Sequence, residues 1–215
     1  QWFTAANFLG YGNNLKVVRP ITGMVNACTS GTALLIKNTT HWKDGDGTTG
    51  PYSGGAASVG QWAARTAGSW GNSLKVAMCP TASEFEETFA GVENTLGCVE
   101  TAAVAGATTF VADNNNNAGT GGAKYNVGDI IHFQEADGSE YKVTGISTDT
   151  VTFERYGTAN TAGGLRTALT AATTVRRRWG YYDQFDGAPG TSTFVQDRTG
   201  VATADEMHII IVDED

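Results

Sequence analysis

A short pattern that occurs twice constrains this chain more than any other feature. Gln1-Trp2 opens an apolar-periodic stretch through Ala5, Ala6, Phe8 and Leu9, stops at Gly10, and continues as Tyr11-Gly12-Asn13-Asn14-Leu15-Lys16-Val17-Val18. Gln61-Trp62 opens a second stretch through Ala63 and Ala64, stops at Gly68, and continues as Trp70-Gly71-Asn72-Ser73-Leu74-Lys75-Val76-Ala77. Glycine suits the left-handed position that ends a helix, and Gly-Asn suits a tight turn into a strand. Each copy therefore predicts helix, turn and strand. A further run, Met207-His208-Ile209-Ile210-Ile211-Val212, is nearly continuous in β-branched residues, as in strands buried on both faces of a helix-covered parallel sheet. The expected body is α/β, a mixed, largely parallel sheet with helices, in which Leu15–Arg19, Leu74–Met78 and Met207–Val212 share one sheet.

Between the second and third of these strands the pattern changes to short alternating runs at Thr108–Val111, Asp129–Phe133, Glu140–Thr144, Thr150–Glu154 and Thr173–Arg178. Period-two alternation predicts antiparallel strands, and Asp137-Gly138 between two of them favours a hairpin turn. Asn114–Gly122, almost entirely Asn, Gly and Ala, is expected to be a flexible loop tip. Residues 98–179 are thus expected to form a small antiparallel β-barrel or β-sandwich, facing outward, inserted into a discontinuous α/β domain of residues 1–97 and 180–215. Insertions of this kind succeed at exposed loops. Residues 43–55 and 182–195 predict two long loops.

Composition narrows the function. The 215 residues carry a net charge of −8, which disfavours the phosphate attraction behind nucleic-acid binding and equally an anionic membrane surface. No run of about 18 apolar residues is present to span a bilayer. Protein partners are expected instead. Cys28, Cys79 and Cys98 are odd in number and widely spaced, which fits reduced thiols of a protein made in a cytoplasm rather than a disulfide framework or a metal knuckle. Gln1 and Asp215 both look like cuts in a longer protein.

The chemical candidates are sparse. Asp44 and Asp46 resemble the start of a calcium loop, but the downstream bidentate Glu is absent at the required offset. Asp213, Glu214 and Asp215 cluster at a strand end, where an α/β sheet places ligands and could hold Mg²⁺; a solvated strand end is the blander explanation and the preferred one. His41, His132 and His208 lie far apart with no partner at zinc-ligand spacing. Arg176-Arg177-Arg178-Trp179 is the one basic cluster, either a platform for single-stranded nucleic acid or a strip pairing with nearby carboxylates. No GxSxG, HExxH or Walker sequence occurs, so no catalytic residue, cofactor or metal site is expected.

Three stretches resemble the contractile tail sheath proteins of T4-like myoviruses. Trp2-Phe3-Thr4-Ala5-Ala6-Asn7-Phe8-Leu9 running into Gly12-Asn13-Asn14-Leu15-Lys16-Val17-Val18-Arg19 is similar to the segment where a helix feeds that family's central strand. Ala64-Arg65-Thr66 with Gly68-Ser69-Trp70-Gly71-Asn72-Ser73-Leu74-Lys75-Val76 resembles its most specific mark, and Asp205-Glu206-Met207-His208 running into Ile209–Val212 and Asp213-Glu214-Asp215 resembles a further strand. The likeness covers about residues 1–80 and 180–215. It rests on Trp2, Asn7, Phe8, Gly12, Asn13, Arg65, Trp70, Gly71, Asn72, Asp205, Glu206, Met207 and His208, in structural roles. It implies a non-enzymatic virion subunit that stacks in six-fold rings around a tail tube, meets a baseplate and contracts. Terminal arms link such subunits, so the present piece is expected to be monomeric. Two other readings remain open: a carbohydrate-binding or adhesion module using Trp42, Tyr52, Tyr181 and Tyr182 as stacking platforms, and a nucleotide-handling enzyme using Asp213–Asp215.

Overall fold

A computed structural model describes Asn7, Tyr11 and residues 23–29, 35–36, 38–44, 60–158 and 161–215. The chain divides into two compact units, one of Gln1–Val76 with Ile211–Asp215 and one of Ala77–Ile210. The architecture is mostly β: eight strands in two antiparallel sheets, with three short helices among the described residues. The helices are α1 (Thr39–Asp44), α2 (Ala82–Phe85) and α3 (Thr193–Thr199).

The larger sheet is built where alternation is strongest. It contains β2 (Glu86–Phe89), β3 (Thr109–Val111), β4 (Ile130–His132), β5 (Glu140–Ser147), β6 (Thr150–Arg155) and β7 (Val175–Arg178), in the order β2-β7-β4-β5-β6-β3. Every neighbouring pair is antiparallel. Asp137-Gly138 lies in the connection from β4 to β5, where Gly138 adopts φ 69° and its amide donates to the Glu135 carbonyl at 3.0 Å. A left-handed residue at this turn is what glycine accommodates without strain.

One face of this sheet supplies the principal core. Alternate residues of β5 and β6 point inward, so Tyr141, Val143, Val151 and Phe153 are buried while Lys142 and Thr144 face solvent. Phe110 meets Tyr125, Phe133 and Phe153 with ring centroids 5.6, 5.1 and 6.1 Å apart. Burying one such aromatic side chain contributes about 1.5–3 kcal/mol. Their polar ends are satisfied: the Tyr125 hydroxyl donates to the Gly97 carbonyl, and the Tyr141 hydroxyl donates to Glu135 Oε2 at 2.6 Å while accepting from the Arg166 amide at 3.0 Å. Burial and the Glu135 contact push the Tyr141 hydroxyl up to about 12.

Among the described residues the second sheet has two strands, β1 (Leu74–Cys79) and β8 (His208–Asp213). It corrects the expected α/β body. Leu74–Met78 and Met207–Val212 do share a sheet, but their pairing is antiparallel and no helix-covered parallel sheet is formed. The third expected member, Leu15–Arg19, lies outside the described residues. The error is physical: an unbroken apolar run signals a strand covered on both faces, yet no residue of β8 is fully buried. The inserted barrel is corrected too, because the six-stranded sheet does not close and β2 and β3 remain as edges.

Two local expectations also change. Residues 61–68 are not helical; Ala63 bridges to Cys28 and the Ala64 amide donates to the Ala27 carbonyl at 2.8 Å, so tertiary pairing takes the backbone bonds a helix would use. Asn114–Gly122 is fastened rather than free. Asp113 Oδ1 accepts from the Asn115 amide at 2.6 Å, and Asp149 accepts from Asn114 Nδ2 at 3.1 Å and from the Gly121 amide at 2.7 Å. Asn115, Asn116 and Asn117 all take positive φ, a conformation asparagine tolerates better than most residues.

Candidate functional site

Trp2, Phe8, Gly12 and Asn13 lie outside the described residues; Asn7 is helical and exposed. Arg65 is exposed in the irregular, bent segment before a 3-10 turn at Ser69–Asn72, which holds Trp70, Gly71 and Asn72 and delivers the chain into β1. Trp70 is 83% exposed. Gly71 has a packing reason to be glycine, since a Cβ there would come within 2.7 Å of the Cβ atoms of both Ala27 and Ala64.

Asp205, Glu206 and His208 fasten a loop. Ser192 caps α3 by accepting from the Val195 amide at 3.3 Å, and Asp205 accepts from the Ser192 amide at 3.1 Å, the Ser192 hydroxyl at 2.7 Å and the Thr203 hydroxyl at 3.1 Å. These bonds, led by the Ser192 hydroxyl, hold the Asp205 carboxyl below its ordinary range. Glu206 returns to Gly190 twice: Oε2 accepts the Gly190 amide at 3.0 Å, and the Glu206 amide donates to the Gly190 carbonyl at 3.0 Å. His208 Nε2 lies 2.7 Å from the Gly187 carbonyl, its ring stacked on Phe185 at 4.1 Å. Residues 187–206 therefore form an excursion closed at its base. The excursion carries α3, none of whose residues is buried.

The two described motif stretches meet as β1 and β8. Ser73 closes their end by donating from Oγ to Asp213 Oδ1 at 2.6 Å, while the Glu214 amide donates to the Ser73 carbonyl at 2.9 Å. Lys75 Nζ stands 3.7 Å from Glu214. Asp213 and Glu214 are thus engaged in holding the strand ends. Along β8, Ile209 and Ile211 are exposed, as are Met207 just before it and Leu74 on β1.

The arginine strip is resolved by its pairings. Arg176 Nη2 lies 2.7 Å from Glu86, and Arg178 pairs with Glu140 while its guanidinium covers the Tyr182 ring at 4.0 Å. Arg177 is 1% exposed and sits among carboxylates: Nη1 donates to Glu84 Oε2 at 3.1 Å and to Asp129 Oδ2 at 3.4 Å, Nη2 lies 3.6 Å from Glu87, and Nη2 also donates to the Ser83 carbonyl. This knot ties α2, β2 and the start of β4 to β7. Burial pushes the Asp129 carboxyl up to about 6 against the pull of Arg177. For Arg177, burial lowers the pKa but Asp129 and Glu84 outweigh it, so its pKa rises. The signal was present in the alternation of β7, where Val175, Arg177 and Trp179 fall on one side and all three are buried.

The remaining candidates do not converge. Asp44 ends α1, and Asp46 and Tyr52 lie outside the described residues. His41 is on α1 in one unit, whereas His132 ends β4 and His208 begins β8 in the other. Among the described residues no three His, Cys, Asp or Glu side chains gather as a metal site. Trp42 belongs to the first unit; Tyr181 and Tyr182 belong to the second, packed with Trp179 and Phe185 around Cys79 and Phe85. Burial pushes the Cys79 thiol up to about 11 and raises that of Cys98, so neither is poised as a nucleophile. No described helix is long and apolar enough to cross a membrane. Comparison with protein-family models and with curated proteins finds no match to this chain.

Proposed function

We propose that this chain is a self-assembling structural subunit, part of a contractile tail sheath of a virion that is made in the host cytoplasm. Its partners are then further copies in six-fold rings, an inner tail tube and a baseplate. One observation carries the reading: the stretches resembling sheath proteins at Ala64–Val76 and Asp205–Asp215 supply strands that pair with each other, leaving Leu74, Met207, Ile209 and Ile211 exposed. Exposed apolar residues on short strands are costly in an isolated subunit and become useful when a neighbour covers them. The buried ion-pair knot fastens α2, β2 and β4 to β7 within the second unit, which suits a subunit whose parts move as blocks between two lattices.

Electron microscopy of the full-length gene product tests the proposal. Tubes with six-fold rings are expected, and purified protein that stays dispersed under every assembly condition overturns it. These 215 residues by themselves are expected to be monomeric, because surface contacts below about 1,200 Å² are weak.

A further inference from the structure

Apart from the assembly reading, the first unit contains a cavity of about 780 Å³ bordered by Trp42, Trp62, Asn38, Thr39, Gln61 and Arg65. That volume lies within the roughly 300–1,000 Å³ typical of small-ligand sites. The walls are fixed by Asn26, which is fully buried. Its side-chain amide donates to the carbonyls of Ala64 at 2.7 Å and Arg65 at 3.2 Å, and its Oδ1 accepts from the Ile36 amide at 2.7 Å. One asparagine thus holds both flanks of the cavity together.

The two indoles are carried on separately braced pieces of backbone. Trp62 is held at both backbone ends by Thr29: its carbonyl accepts from the Thr29 amide at 3.0 Å, and its amide donates to Thr29 Oγ1 at 3.2 Å. Trp42 lies on α1, whose first turn is capped by Asn38, Oδ1 accepting from the His41 amide at 2.8 Å. That bond occupies the amide oxygen of Asn38 and leaves its NH₂ as a donor. The Asn38, Thr39, Gln61 and Arg65 side chains are exposed, and both tryptophans are half-buried.

Half-buried indoles with a rim of amide, hydroxyl and guanidinium groups match a ligand that alternates C–H patches with hydroxyls. No carboxylate is among the described residues that line the cavity, so a cationic ligand has no counter-charge there. We infer that this cavity is a saccharide-binding site, with Trp42 and Trp62 as stacking surfaces and Asn38, Gln61 and Arg65 as hydroxyl partners. Aromatic rings supply large contact area at low entropic cost, while the polar groups set orientation.

Titration of the chain with maltotriose, cellotriose and tri-N-acetylchitotriose, followed by tryptophan fluorescence and calorimetry, tests the site. Saturable binding to at least one is expected, weakened about tenfold by Trp62→Ala or Trp42→Ala. Tyr156→Ala removes an exposed aromatic in the other unit and is expected to leave binding unchanged. Thermal melts establish that each variant is folded. Should a tryptophan variant unfold, Gln61→Ala and Arg65→Ala decide instead, since both side chains are exposed; each is expected to weaken binding about threefold or more. No saturable binding to any of the three up to about 10 mM, or binding that survives every cavity substitution, overturns the inference.

Discussion

Strands β6 and β8 are each six residues long, and the less apolar of the two is the buried one. β6, Thr150–Arg155, hides Val151 and Phe153 almost completely; β8, His208–Asp213, leaves Ile209 and Ile211 40% and 61% exposed. The difference lies in their neighbours. β6 is paired on both sides, by β5 and β3, and its inner face meets an aromatic cluster, whereas among the described residues β8 has β1 alone. A two-stranded ribbon has little independent stability, so its apolar residues are poised for burial rather than buried. Apolar content makes a strand; the number of elements stacked around it decides what the strand is for.

That contrast can be broken or sharpened by substitution. The largest loss is expected from Phe153→Ala, about 3–5 kcal/mol in urea unfolding, because it opens a cavity among Phe110, Phe133 and Tyr141. A loss below about 1 kcal/mol would mean that the aromatic cluster is not the principal core.

Arg177→Met should cost nearly as much, about 3–5 kcal/mol, since it strands Asp129 without its buried cation. Arg177 Nε has no hydrogen-bond partner among the described residues, so the knot is held through the two Nη atoms alone. Replacing Arg176, half-exposed and paired with Glu86, is expected to cost no more than about 1 kcal/mol by the same measurement.

A pH series isolates Asp129. Its folded-state pKa, near 6, lies above the ordinary carboxylate value, so between about pH 4 and 6 the folded chain binds more protons than the unfolded one. The contribution of this group is therefore fully present below about pH 4 and lost as pH rises to 6, an effect on the order of 2–3 kcal/mol. Asp129→Asn should remove that slope from the stability profile. An identical slope in the variant would place the titration elsewhere.

Smaller effects are expected at the closed excursion and smallest on the ribbon. Ser192→Ala should cost about 1 kcal/mol by removing the α3 cap and a ligand of Asp205. Ile211→Ser should change stability by no more than about 0.5 kcal/mol; if the proposed assembly holds, it also lowers the yield of tubes from the full-length gene product. A large stability loss there would show that the β8 row is already covered within the chain.

Period-two alternation alone located five strands of the larger sheet to within a few residues, together with the Asp137-Gly138 turn, because each depends on neighbours close in sequence. The same parity sets Arg177 on the side of Val175 and Trp179, but the sequence alone suggests a strip pairing with carboxylates and does not turn that side inward. What could not be seen locally was its escort: Glu84, Glu87 and Asp129 reach it only through β2 and β4 pairing with β7. β2, Glu86-Glu87-Thr88-Phe89, shows no alternation to announce a strand and becomes one by pairing. Gln61–Gly68 has helical composition but surrenders its backbone bonds to residues 25–29. Local periodicity, set by side-chain direction along the chain, was enough to determine strands and turns; direction of pairing, depth of burial and the fate of charged residues were decided by contacts between segments distant in sequence, where the energy of burial resides.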